Sequence, residues 1–92
     1  MNRDDATRTH RAAVKLERLY HGYRATNRAI GMMIHRLEGS IATDEDMPDS
    51  EKRARLQQLT RRKALAQELD LAYAERIAQL EQRLAELRDW SE

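Results

Sequence analysis

No cysteine and no phenylalanine occur in this chain, tryptophan and proline occur once each, and glycine three times. Each shortage removes a class of protein. Without cysteine there is no disulfide framework, no thiolate metal centre and no cysteine nucleophile. With only 4% aromatic residues, a bulky globular core is out of reach, and seams of Leu and Ala between helices are the economical alternative. No apolar run is long enough to span a bilayer, and the opening MNRDDATRTHRAA has no hydrophobic segment of the kind a secretory signal needs. A cytoplasmic protein, or one exported without a cleaved signal, is the expectation, without membrane contact. At 92 residues the chain has room for one small domain, and a chain this short is often completed by oligomerisation.

What is present is charge, 36% of all residues, and long stretches of good helix formers. The stretch from Ser50 to Asp89 has no Gly or Pro and is rich in Leu, Ala, Gln, Glu and Arg, so it reads as one helix over about 50–90. Leu59, Ala66, Leu69, Tyr73, Ile77, Leu80, Leu84 and Leu87 return to one side of it at mostly three- and four-residue steps, which is the pattern of a seam against another helix. A second row, Ala64, Leu71, Ala78 and Ala85 with Ala74 among them, offers small side chains on a different side.

The first helix is predicted over about 3–39, with Asn2 as N-cap and Asp4 and Asp5 in the first turn. Its richest apolar row is Ala12, Leu16, Leu19, Tyr23, Thr26, Ile30, Met33 and Leu37. Ala13, Tyr20, Asn27, Ile34 and Ile41 form a flanking row every seven residues, which widens the apolar stripe toward that of a bundle. Gly22 and Gly31 interrupt this helix; they mark either close approach of another helix or simple tolerance of a weak helix former. Gly39 is expected to end the helix, the segment 40–49 to hold the turn, and Asp46, Asp49 or Ser50 to cap the second helix around Pro48.

Two such helices joined by so short a turn fold back as an antiparallel two-helix coiled-coil hairpin, a single all-α domain. Charge supports that orientation. Residues 1–39 carry eight bases and four acids, 40–51 five acids, 52–63 six bases, and 64–92 seven acids against three bases. Pairing residue i with residue 90 − i sets Met33 against Leu56, Ile30 against Leu59 and Leu19 against Leu69 or Tyr73. In that register Leu80, Leu84, Leu87 and Trp90 meet almost nothing apolar at the open end. Those residues, with Leu71, Ala74, Ala78 and Ala85 and the flanking Tyr20 and Ile34, are the expected contacts of a homodimeric four-helix bundle or of a protein partner. Near the middle, Thr26 and Asn27 are expected opposite Arg62 and Lys63, either as a polar layer that fixes register or with the basic stems lying on the seam.

Chemistry is scarce. His10, His21 and His35 lie on one side of the first helix but ~16 and ~21 Å apart on a straight axis, too far for a shared zinc ion. Glu17 and His21 read as an ordinary i,i+4 pair. No nucleophile stands beside a base in a known motif, and no glycine-rich phosphate loop occurs, so catalytic residues, cofactors and metal ligands are not expected. Two charged clusters remain. The acidic turn Asp44, Glu45 and Asp46 resembles the acidic coiled-coil tips of Gre-type transcription factors. That resemblance covers the turn alone and implies a regulator that inserts its tip into RNA polymerase. The basic block, with Arg55, Arg61, Arg62 and Lys63 at its centre, could contact phosphates, although its residues are spread around the helix and no aromatic is interleaved. The leading expectation is a non-enzymatic interaction module, an adaptor, chaperone-like partner or inhibitor, with nucleic-acid binding and polymerase regulation as alternatives.

Overall fold

The computed structural model describes residues 3–91, and side chains as far as residue 89; the expected cap at Asn2 and the side chain of Trp90 lie outside the described residues. The chain is an all-α helical hairpin of two elements, α1 (Arg3–Ala42) and α2 (Asp49–Ser91). Asp4 and Asp5 occupy the first turn of α1, and Asp49 and Glu51 that of α2, where carboxylates favour the positive end of the helix dipole.

Gly39 does not stop α1. No glycine has a positive φ, and the helix runs on to Ala42. There the Thr43 amide and hydroxyl both donate to the Gly39 carbonyl, at 3.2 and 2.9 Å. The last turn of α1 contains no basic residue, and Lys52 of α2 supplies the missing cation by donating from Nζ to the Ala42 carbonyl at 3.2 Å. The Asp44 carboxylate accepts from the Asp46 amide, 3.0 Å, closing a small Asx turn. Pro48 sits just outside α2, its carbonyl accepting the first helical bond from the Lys52 amide at 2.9 Å.

Contacts group the chain into two compact units, Ala25–Asp70 and Met1–Arg24 with Leu71–Glu92. In each, a segment of α1 runs antiparallel to a segment of α2. In the turn-side unit, Ile34 and Leu59 are buried and Asn27, 9% exposed, donates from Nδ2 to the Ala66 carbonyl at 2.7 Å. Arg28 Nε lies 2.9 Å from Asp70 Oδ1. Lys63 Nζ reaches Glu38 Oε1 at 3.4 Å and His35 Nδ1 at 3.5 Å. In the other unit Ala13, Ile77, Leu80 and Leu87 form the core. Tyr20, Tyr23 and Tyr73 cluster beside it with ring centroids 5.9–6.1 Å apart, Tyr20 meeting Tyr23 edge to face.

These contacts correct the expected pairing. The row of α1 that faces α2 is the flanking one, Ala13, Tyr20, Asn27 and Ile34, whereas Leu16, Leu19, Tyr23, Ile30, Met33 and Leu37 are exposed. Leu69, expected in the seam of α2, is exposed as well. The reason is chemical matching. The inner side of α2 carries Lys52, Lys63 and Asp70 between its apolar residues, and a row of Leu, Ile and Met could not pair with them. The observed face of α1 and its border bring Asn27, Arg28 and Glu38, and buried polar groups left unpaired are costly. Asn27 therefore meets a backbone carbonyl of α2, not Arg62 or Lys63.

The register moves by close to a turn as well, with Tyr73 against Tyr20 and Ala66 against Asn27. That shift shelters the end that was expected to lie open. Leu80 and Leu87 are only 5% and 4% exposed, and Leu84 is half-buried.

The glycines mark no close approach inside the chain. A Cβ added at Gly22 or Gly31 would meet nothing within 4 Å. Gly31→Ala is expected to stabilise the fold by ~1 kcal/mol through helix propensity, raising Tm by about 4–8 °C in a chain of this size. A drop in Tm measured by circular dichroism would mean that this position is in fact tightly packed.

Candidate interaction surfaces

Large apolar side chains of α1 are exposed in both units, Leu16, Leu19 and Tyr23 in one and Ile30, Met33 and Leu37 in the other. Leu19 is 43% exposed and Met33 60%. On α2, Leu65, Leu69 and Leu71 are exposed too. Large side chains open at regular helical spacing are what a partner helix covers.

The other residues expected at an interface divide. Leu71, Ala78 and Ala85 are exposed, and Ala74, Leu84 and Tyr20 are half-buried. Leu80, Leu87 and Ile34 are consumed by the chain's own core, so the open-end argument for association fails and is replaced by the face of α1.

Of the acidic turn, Glu45 and Asp46 are exposed, and Asp44 is partly withdrawn by its bond to the Asp46 amide. The basic block is partly spent within the chain. Arg55 pairs with Glu51 at 2.7 Å and Lys63 with Glu38, while Arg61 and Arg62 are exposed.

No family model matches this chain, and comparison with curated proteins and with solved structures finds no significant similarity. Function has to be argued from these surfaces alone. Among the described residues, no helix is long and apolar enough to cross a membrane.

One constellation was not visible in the sequence. Glu17 and His21 of α1 meet Glu81 of α2, with one donor atom from each lying within 4.8 Å of the others. His21 Nε2 is 3.8 Å from Glu17 Oε1, and the Glu17 side chain is three-quarters buried while that of His21 is half exposed. The i,i+4 pair was legible, but Glu81 reaches it only through the register of the folded helices.

Proposed function

We propose that this protein is a non-enzymatic helical interaction module, and that its contact surface is the apolar side of α1 left open by α2. One observation carries the reading. Of the richest apolar row of α1, Leu16, Leu19, Ile30, Met33 and Leu37 stay exposed, while Tyr23, itself half exposed, meets Tyr73 of α2 along its ring. Covering these half-exposed side chains is worth about 1 kcal/mol each, enough in sum to offset a substantial part of the cost of association, about 4–15 kcal/mol.

The spacing favours a second copy of the chain as the occupant. Leu16 and Leu37, Leu19 and Met33, and Tyr23 and Ile30 stand at near-equal distances on either side of Thr26. An antiparallel pair of α1 helices crossing at Thr26 would set each of these residues against its counterpart, as a two-fold interface requires. The small Gly22 and Ala29 would lie side by side along one flank and let the helices approach. Lys15 and Arg36 would come together at its ends, so this association should strengthen as salt is raised, the reverse of phosphate binding.

Sedimentation equilibrium at micromolar concentration tests the reading. Wild type is expected to dimerise, and Leu19→Asp with Met33→Asp to be monomeric with unchanged helicity. A monomeric wild type, or a dimer indifferent to these substitutions, would remove the second copy as occupant. The nucleic-acid reading has less to recommend it, with Arg55 and Lys63 engaged inside the chain.

A further inference from the structure

We propose that Glu17, His21 and Glu81 form a binding site for a zinc-like divalent cation that ties the α1 and α2 segments of their unit together. Tetrahedral zinc holds nitrogen and oxygen ligands at about 2.0–2.2 Å, which places neighbouring ligand atoms ~3.3 Å apart. The Glu17 to His21 separation of 3.8 Å is already close to that edge, and Glu81 lies within the 4.8 Å that encloses all three donors. Glu81 and His21 are exposed, so rotation of their side chains closes the remaining gap without moving backbone.

The charges point the same way. Two carboxylates converge on the imidazole of His21, which is positive only when protonated. A divalent ion satisfies both carboxylates and takes the imidazole as a neutral nitrogen ligand. A nitrogen donor with two carboxylates favours zinc and similar transition ions over magnesium or calcium, which prefer all-oxygen sets. Three protein ligands leave a fourth position for water. Beside the site, a shallow groove of about 310 Å³ is bordered by His10, Val14, Leu84, Ala85 and Arg88 as well as Glu17 and Glu81, which gives that position room.

Because the ligands come from both helices, the ion should bind the folded chain and not the unfolded one, and so raise Tm. Titration calorimetry and thermal melts with zinc chloride alone test this on the full chain. Wild type is expected to take up one ion per chain and to melt higher with zinc. Glu81→Gln and His21→Gln should each weaken binding roughly tenfold or more and lose the rise in Tm, while His35→Gln leaves both unchanged. All three positions are exposed, and far-ultraviolet circular dichroism in the absence of zinc checks that the variants fold. Binding that survives Glu81→Gln intact would place the ion on α1 alone and overturn the proposal. So would loss of binding in His35→Gln, or a wild-type chain that neither binds zinc nor melts higher with it.

Discussion

Leu80→Ala is expected to destabilise the fold by about 2–5 kcal/mol, while Leu71→Ala costs less than ~0.5 kcal/mol. The two leucines are nine residues apart on one helix and differ in what they touch. Leu80 is 5% exposed and shares its core with Ala13, Ile77 and Leu87, whereas Leu71 is 72% exposed. Truncating Leu80 removes buried methyl groups and leaves a hole that two helices can only partly close. With a Tm change of about 4–8 °C per kcal/mol in a domain of this size, the first variant should melt at least about 10 °C below wild type and the second close to it. Similar Tm values for the two would show that Leu80 is not a core residue. Because the unit that holds Leu80 is built from both ends of the chain, chemical denaturation followed by circular dichroism is the appropriate measurement.

The second large effect concerns Lys63. Its ammonium is 3.4 Å from Glu38 Oε1, an oxygen enclosed by protein that accepts no hydrogen bond among the described residues. The contact is therefore electrostatic without good hydrogen-bond alignment. Lys63→Met keeps the aliphatic stem and removes the charge, leaving the Glu38 carboxylate facing no cation. The expected loss is about 1–3 kcal/mol, the cost of an unsatisfied enclosed acceptor, moderated because both side chains keep some contact with water. Replacing both, Lys63→Met with Glu38→Leu, should recover most of that loss, since an apolar pair of similar volume often matches a part-buried ion pair. If Lys63→Met were neutral, or if the double variant were no better than the single one, the pair would not be what selects this face of α1.

That selection explains how much could be read in advance. The composition of 50–89, free of Gly and Pro, announces a helix, and the three- and four-residue recurrence of Leu59, Ile77, Leu80 and Leu87 marks the buried side of α2. On α1 the apolar residues occupy two neighbouring rows, and apolar content alone favours the wrong one. The polar residues decide between them: Lys63 needs Glu38, and Asp70 is met by Arg28. Choosing a row therefore also fixes the register, and an error in one produced the error in the other. For that reason Leu80 and Leu87 are assigned from the sequence to an interface with another chain, whereas they lie in this chain's own core. Gly39 is a simpler case, because a helix can run through glycine when Thr43 satisfies the Gly39 carbonyl and Lys52 that of Ala42. The Glu17, His21 and Glu81 cluster needs the correct register before it exists at all, and spacing rules applied within one helix cannot find it.

The aromatic cluster has an experimental use. All three tyrosines of the chain, Tyr20, Tyr23 and Tyr73, belong to the unit that contains the two ends of the chain, and the turn-side unit, Ala25–Asp70, has none. Near-ultraviolet ellipticity from tyrosine is thus a local optical label, while the amide signal sums over every helical turn. Heating the protein and overlaying the two traces would show whether both units melt in a single cooperative step or whether one loosens while the other holds.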